Sequence, residues 1–217
     1  HRGELVLNRA LGIARNEARS SVRCTVDTPF VLFSATKPIT ALVVHLLEED
    51  GVLRLDDRVA EYLPEFSRHG KDRITLRHLL SHRAGIPDMP PEAMEEDTLP
   101  APRQVVQLLS GIKPRLEPGR LAYHALTAGP LLGEVVRRAT GRNLRQHVRE
   151  RISRPLGLES LSIGVTARQS PGLAESACTG LRPPRWAGRI LDRALGATLA
   201  RTVDISNSQR FHTGIVP

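Results

Sequence analysis

Apolar residues recur at helical spacing through the middle of the chain and predict a mostly helical region there. The clearest stretch covers residues 35–49, where apolar positions repeat at intervals of three and four residues and Gly51 follows the end. Its apolar face consists of Ile39, Leu42, Val43, Leu46 and Leu47. A second helix is predicted after Thr75, ending near Gly85, and further helices over residues 103–109, 131–140, 144–152 and 191–199.

Short strands and loops are predicted outside these helices. Residues 4–7 and 10–14 have the composition of two short strands, with Asn8 and Arg9 at the turn between them. Prolines are frequent between residues 87 and 102, and the same segment contains an acidic run at residues 92–97. We therefore predict an exposed loop in this segment, one that could border a pocket.

The length and composition are those of a globular protein. A chain of 217 residues with 40% hydrophobic residues can bury a substantial core. Its unbroken apolar runs are far shorter than the ~20 residues that a membrane-spanning helix needs, so no membrane span is predicted. No secretory leader is visible at the start of the chain, which predicts a cytoplasmic protein unless an export signal lies upstream of His1.

The net charge of +8 and the pI of about 10.6 raise the question of nucleic-acid binding. Of the 31 basic residues only Lys37, Lys71 and Lys113 are lysines, and the arginines are scattered along the whole chain. Aromatic residues make up 3% of the sequence, which leaves little surface on which bases could stack. We therefore expect an arginine-rich solvated surface and no nucleic-acid partner.

The sharpest local feature is the sequence Ser34-Ala35-Thr36-Lys37 at the start of the first predicted helix. Residues three apart share one face of a helix, so Lys37 can lie beside the hydroxyl of Ser34. A serine hydroxyl becomes a strong nucleophile only when a base takes its proton. A lysine does so as the neutral amine, which burial and the positive end of the helix favour. Backbone N–H groups at the helix start could also stabilise an oxyanion.

Two other interpretations are open for the candidate residues taken alone. Ser34 and Lys37 could be an ordinary helix cap and a surface lysine. His78 and His82 are four residues apart in the second predicted helix and could bind one metal ion. Because no acidic residue lies between these histidines to act as a base and no third ligand is evident, no metal site is predicted.

Several segments accompany the Ser34–Lys37 motif in a fixed order. They are residues 27–33 (DTPFVLF), 46–57 (LLEEDGVLRLDD), 74–87 (ITLRHLLSHRAGIP), 117–119 (EPG), 123–127 (YHALT) and 129–141. The series resembles the serine β-lactamase and penicillin-binding-protein family, and most of all the class C β-lactamase-related esterases called family VIII carboxylesterases. The resemblance covers nearly the whole chain and is densest over residues 27–157.

The resemblance implies an α+β fold of the β-lactamase/transpeptidase type, in which helices flank an antiparallel sheet. Residues 1–217 would form one such domain, with a mostly helical region at about residues 38–160. Members of the family are considerably longer, so we expect the domain to be incomplete at both ends. An incomplete sheet would expose an unpaired edge and could weaken or abolish the activity.

The implied function is that of a serine hydrolase that acts through an acyl-enzyme on small-molecule esters or amides, without a cofactor or a metal. Ser34 would be the nucleophile and Lys37 would help to deprotonate it. Tyr123 matches the tyrosine of the second family motif, which passes the proton to the leaving group. A lysine ammonium favours the phenolate, so the pKa of such a tyrosine falls from about 10. Alternatively, Tyr123 is a half-buried core tyrosine.

Two departures from the family pattern bear on the substrate and on activity. The second motif of β-lactamases reads Tyr-x-Asn, whereas Ala125 stands at the third position here and offers no polar group. This difference favours carboxylic esters over β-lactams or D-Ala-D-Ala peptides, which remain alternatives. The third motif, a strand that supplies an oxyanion amide, has a candidate in His212-Thr213-Gly214, which comes sooner after Tyr123 than in the family. A catalytically weak or inactive protein is therefore the second alternative.

Overall fold

The structure, a computed structural model, describes residues 1–17, 20–94, 101–177 and 206–214, and these ranges are mostly helical. The α-helices are α1 (Thr36–Glu49), α2 (Val59–Tyr62), α3 (Leu76–Leu80), α4 (Pro102–Gly111), α5 (Ala128–Thr140), α6 (Leu144–His147) and α7 (Gln209–Gly214). Segments of 3-10 helix cover Phe33–Ala35, Pro64–Arg73, Pro91–Met94 and Ser170–Gly172, and a π-helical segment, Val148–Ser153, continues α6. The strands are β1 (Ile13–Glu17) and β2 (Ser20–Arg23).

Strands β1 and β2 form an antiparallel hairpin. The prediction of a strand at residues 4–7 is wrong, because Leu5, Val6 and Leu7 are more than 70% exposed and no sheet forms there. The second predicted strand, residues 10–14, overlaps β1 only at its end. Ala14 in β1 is buried, and its carbonyl oxygen accepts a hydrogen bond of 2.8 Å from the N–H of Glu175. The hairpin is therefore anchored by a segment that is distant in sequence.

Helix α1 places its apolar face on the core and carries the candidate nucleophile at its start. Residues Thr40, Val43, Val44 and Leu47 are buried at the three- and four-residue spacing of one helix face. Pro38 lies in the first turn, where a missing N–H costs little because no intrahelical acceptor exists for it. The prediction of a helix over residues 35–49 is confirmed.

Helix α5 is the most buried helix of the described core. Its buried side is continuous, and Leu131, Val135 and Val136 are at most 1% exposed. Burying one such side chain contributes about 1.5–3 kcal/mol to folding. Helices α1, α3 and α4 pack against α5, so the start of α1 and the coil that leads into α5 belong to one packed unit.

The other predicted helices differ in outcome. Helices α4 and α5 confirm the predictions at residues 103–109 and 131–140, and α6 with its continuation covers residues 144–153. Helix α3 starts after Thr75, as predicted, but ends at Leu80. The predicted helix at residues 191–199 lies outside the described residues. Among the described helices, none has the length and apolar character that crossing a membrane requires.

Candidate active site

Ser34 lies in the 3-10 turn Phe33–Ala35, which leads directly into α1. The N–H of Ala35 closes the turn by donating a 3.0 Å hydrogen bond to the carbonyl oxygen of Leu32. Phe33 has a φ angle of 47°, in the left-handed region that bulky residues rarely adopt. Ser34 itself is exposed. The fold thus presents this serine to solvent at the end of a backbone turn that is under strain.

Lys37 occupies the first turn of α1, one helical turn from Ser34. Its Nζ donates a hydrogen bond of 3.0 Å to Ser34 Oγ. Lys37 is half-buried, and its amine still reaches the exposed hydroxyl of Ser34. The three-residue spacing seen in the sequence therefore corresponds to a direct contact.

Tyr123 comes from the coil that precedes α5, 89 residues from Ser34 in sequence. Its hydroxyl lies 2.8 Å from Ser34 Oγ, a distance at which either oxygen can donate. The Nζ of Lys37 lies 5.2 Å from the centre of the Tyr123 ring. The hydroxyl of Ser34 thus has an amine on one side and a phenol on the other.

The surroundings of Tyr123 favour its ionised form. Burial raises the pKa of Tyr123, but the hydrogen bonds with Ser34 and Lys37 and the positive charge of Lys37 lower it by more, so the net pKa is below 10. A phenolate at this position can accept the proton of Ser34 while Lys37 donates to the same oxygen. The three side chains can therefore move a proton without further groups.

His82 is a fourth member of this group, which the sequence analysis considered only as a metal ligand. Its ring lies edge-on to the ring of Tyr123 with the ring centres 4.9 Å apart. Burial and the charge of Lys37 lower the pKa of His82, so the neutral imidazole is favoured. In the sequence, the signal that could have pointed to His82 was its position in residues 74–87, one of the segments that carry the family resemblance.

His78 and His82 do not share a helix face, because α3 ends at Leu80 before His82 is reached. His78 instead caps its own helix. Its Nδ1 accepts a hydrogen bond of 3.1 Å from the N–H of Thr75, whose side chain accepts one from the N–H of His78. The helical spacing on which the metal alternative depended is therefore not present.

The two remaining positions of the second motif differ in character. Ala125 is half-buried and brings no polar group to the site. His124 is fully buried, and both of its ring nitrogens have partners. Nε2 accepts from the N–H of Ile86 at 3.1 Å, and Nδ1 lies 2.6 Å from the carbonyl oxygen of Ala122. His124 is therefore part of the support of the Tyr123 coil.

His212 lies in helix α7 and not in a strand, so His212-Thr213-Gly214 does not form the third family motif. The ring of His212 is buried, with Nδ1 2.8 Å from Ser170 Oγ and Nε2 2.5 Å from the carbonyl oxygen of Ser206. The tripeptide was only a candidate for the third motif, and the structure does not support it, because the ring of His212 connects residues 170 and 206.

A cavity of about 370 Å³ lies next to the Ser34 turn. Phe30, Leu32 and Thr36 line it together with residues 159–165 and His212. Ser34, Lys37 and Tyr123 are not among its lining residues, so the candidate nucleophile does not open into it. In the predicted loop at residues 92–97, Glu92 lies in the 3-10 segment Pro91–Met94, and residues 95–97 lie outside the described residues.

Comparison with known families decides the relationship. The sequence model of the Beta-lactamase family matches residues 1–209, which is nearly the whole chain. The chain belongs to the Beta-lactamase family. This match and the residues around Ser34 confirm the resemblance stated from the sequence.

Individual relatives within the Beta-lactamase family include enzymes named as esterases. Esterase/beta-lactamase LipL of Mycobacterium tuberculosis is 35% identical over 147 residues, which cover 68% of this chain and 34% of LipL. Esterase EstB of Burkholderia gladioli is 34% identical over 180 residues, which cover 72% of this chain and 43% of EstB. The chain thus spans less than half the length of these two relatives.

Solved structures confirm the β-lactamase/penicillin-binding-protein type of fold. A family VIII carboxylesterase superimposes with a TM-score of 0.70 at 30% identity, covering 94% of this chain and 54% of the other. A penicillin-binding protein homologue from Caulobacter crescentus gives a TM-score of 0.70 at 33% identity, covering 80% and 46%. The described helices and hairpin therefore correspond to part of this larger fold.

Proposed function

We propose that this chain is a serine hydrolase that cleaves small carboxylic esters through an acyl-enzyme on Ser34. The observation that carries the proposal is that Ser34 Oγ lies within hydrogen-bond distance of both Lys37 Nζ and Tyr123 OH. The esterases among its relatives support the same class of reaction.

In the first half of the reaction, Ser34 Oγ attacks the ester carbonyl carbon while its proton passes to Tyr123. The ammonium of Lys37 stabilises the tyrosinate before the step. During the step it stabilises the negative charge that develops on the carbonyl oxygen of the ester. When the bond from the carbonyl carbon to the alkoxy oxygen breaks, Tyr123 returns the proton to the leaving alcohol. The products are the free alcohol and an ester of Ser34 with the acyl group.

In the second half, water attacks the acyl carbon and Tyr123 takes one of its protons. The bond between Ser34 Oγ and the acyl carbon breaks, Ser34 recovers a proton from Tyr123, and the carboxylic acid leaves. Each positioned proton transfer of this kind typically accelerates the reaction by about 100- to 10,000-fold. The same three residues therefore serve both halves.

The preference for esters over β-lactams rests on Ala125. Its methyl group cannot hydrogen-bond the side-chain amide of a penicillin, whereas an ester needs no such contact. We expect slow turnover of penicillins and faster hydrolysis of a short p-nitrophenyl ester. Rapid penicillin hydrolysis would contradict the ester preference and favour the β-lactamase alternative.

Labelling with a fluorophosphonate tests whether Ser34 is an active nucleophile. The wild-type chain should gain the mass of one probe on the peptide that contains Ser34, and Ser34→Ala should gain none. Ser67→Ala is the matched control, because Ser67 is an exposed serine whose hydroxyl donates only to the carbonyl oxygen of Pro64. An unlabelled wild-type chain that is folded by circular dichroism would refute the proposal and favour the inactive alternative.

A further inference from the structure

His82 contacts the coil around Tyr123 through its backbone and through its ring. Its carbonyl oxygen accepts a hydrogen bond of 3.0 Å from the N–H of Ala122. Its ring Nδ1 accepts one of 3.2 Å from the N–H of His124. The residues on both sides of Tyr123 are thus hydrogen-bonded to one residue.

The conformation of His82 makes this double contact possible. His82 has a φ angle of 59°, in the left-handed region, where histidine is found more often than most residues. The left-handed turn directs the carbonyl group and the ring toward the same neighbouring coil. The ring then lies edge-on to the ring of Tyr123. Burial together with the charge of Lys37 lowers the pKa of His82 and so favours the neutral imidazole. The hydrogen bond from the N–H of His124 then requires the tautomer that carries its proton on Nε2 and leaves Nδ1 as the acceptor.

The side chain of Tyr123 is 43% exposed, and its ring contacts the ring of His82 and the amine of Lys37. The position of its hydroxyl therefore depends on these contacts and on how its backbone is held. His124, the residue after Tyr123, is held in turn by its ring Nε2, which accepts a hydrogen bond from the N–H of Ile86. The backbone of Tyr123 is therefore held by contacts to residues 82 and 86, which follow α3.

We propose that His82 is the positioning residue of Tyr123 and holds its hydroxyl at hydrogen-bond distance from Ser34, an inference that rests on the proposed function. His82 does not exchange a proton with substrate in this role. It acts through the ring acceptor and the carbonyl oxygen that hold the peptide units next to Tyr123.

Three variants separate positioning from general stability. His82→Asn keeps an acceptor at the place of Nδ1 and tolerates a left-handed backbone. His82→Gln keeps a polar side chain but moves the acceptor beyond that place. His69→Gln is the matched control, because His69 also has a φ angle of 59° and is exposed, outside the described contacts of Tyr123.

Ultraviolet titration of the tyrosines gives a readout that does not depend on activity. The chain has only two tyrosines, and the pKa of Tyr62 is raised, so the first to ionise is Tyr123. Tyr123→Phe should remove the early step and so assign it. We expect His82→Gln to move the midpoint upward toward about 10, and His82→Asn and His69→Gln to keep the wild-type midpoint.

The rate of fluorophosphonate labelling gives the functional readout. A misplacement of about 1 Å can cost about 100-fold in rate, so we expect His82→Gln to label Ser34 about 10- to 100-fold more slowly than wild type. His82→Asn should recover most of that loss. A His82→Gln chain with the wild-type tyrosine midpoint, or a folded His82→Asn chain with a midpoint raised toward 10, would overturn the positioning role.

The outcomes also separate this inference from the proposed function. A wild-type chain that is not labelled but shows the early tyrosine step, which His82→Gln abolishes, supports the positioning role and refutes the hydrolase. If the wild type is labelled on Ser34 and His82→Gln keeps the wild-type tyrosine midpoint and labelling rate, the hydrolase is supported and the positioning role is refuted. If His82→Gln does not fold, His82→Asn still tests the inference, because a folded His82→Asn chain with a midpoint raised toward 10 overturns the positioning role.

Discussion

The two tyrosines of the chain lie in opposite electrostatic surroundings. The hydroxyl of Tyr62 donates a hydrogen bond of 2.7 Å to the carboxylate of Asp57, and burial together with this neighbouring carboxylate raises its pKa. The hydroxyl of Tyr123 lies 2.8 Å from Ser34 Oγ, and its pKa is lowered by its hydrogen bonds with Ser34 and Lys37 and by the charge of Lys37. The same side chain is therefore held as a hydrogen-bond donor in one region, whereas its surroundings favour the ionised form in the other.

Lys71 and Lys37 also lie in contrasting surroundings, because their amines donate to different kinds of acceptor. Lys71 is fully buried and donates to the carbonyl oxygens of Ser110, at 3.0 Å, and Ile112, near the end of α4. Burial lowers its pKa to about 8. Lys37 is half-buried and donates to a hydroxyl that can give up its proton. A lysine bound to carbonyl oxygens stabilises the fold, whereas one bound to a hydroxyl can support chemistry.

Replacing Lys37 should produce the largest effect on activity. Lys37→Met removes the charge that stabilises the tyrosinate, so we expect hydrolysis of a p-nitrophenyl ester to fall by about 10,000-fold. The free energy of unfolding should change little, because the side chain of Met retains the apolar contacts. Steady-state kinetics and urea unfolding measure the two quantities. An active Lys37→Met chain would contradict the role assigned to this amine.

Exchanging each tyrosine for phenylalanine tests the contrast between them directly. Tyr123→Phe removes the group that carries the proton, so we expect hydrolysis to fall by about 100- to 1000-fold. Tyr62→Phe should leave hydrolysis unchanged and lower the free energy of unfolding by about 1 kcal/mol, since it loses one hydrogen bond. Equal activity of the two variants, measured with the same ester, would show that the difference in surroundings has no catalytic meaning.

Lys71→Met should have the reverse profile of Lys37→Met. It removes both hydrogen bonds to buried carbonyl oxygens, and we expect the free energy of unfolding to fall by about 2–3 kcal/mol. Activity per folded molecule should stay at the wild-type value. Urea unfolding followed by circular dichroism measures the loss. A variant as stable as wild type would show that these two contacts contribute no net stability.

The same lysine should also make stability depend on alkaline pH. The pKa of Lys71 is about 8 in the folded chain and about 10.5 in the unfolded chain, so between these values the unfolded state binds more protons. The free energy of unfolding should therefore rise with pH from about 8 upward. The difference between wild type and Lys71→Met isolates this contribution. A difference that stays constant over that range would contradict the lowered pKa.

The sequence predicted the helices better than the strands, for a physical reason. A long amphipathic pattern such as that of α1 specifies one buried face and therefore one structure. The short apolar run at residues 4–7 specifies a strand only if a core exists to cover it, and in the described structure it remains exposed. Periodicity therefore predicts a helix from local information, whereas a strand also depends on distant segments.

In the candidate site, too, contacts between residues close in sequence could be predicted, whereas contacts between distant segments could not. The contact between Ser34 and Lys37 follows from their three-residue spacing at the start of a helix, whereas Tyr123 could be assigned only through the resemblance to a family. The contact of His82 with the Tyr123 coil depends on a left-handed backbone and on a segment about forty residues away. No local pattern encodes such a contact. His212 shows the opposite case, because a tripeptide that matches the types of a family motif lies in a helix and not in a strand.

The left-handed conformation of Phe33 has a consequence for engineering. Glycine at this position would relieve strain of about 1–2 kcal/mol, but it would also give more freedom to the turn that presents Ser34. Selection for heat resistance alone would favour the relaxed turn, and selection for turnover would retain the aromatic residue. A library that varies this position therefore has to be screened for both properties at once.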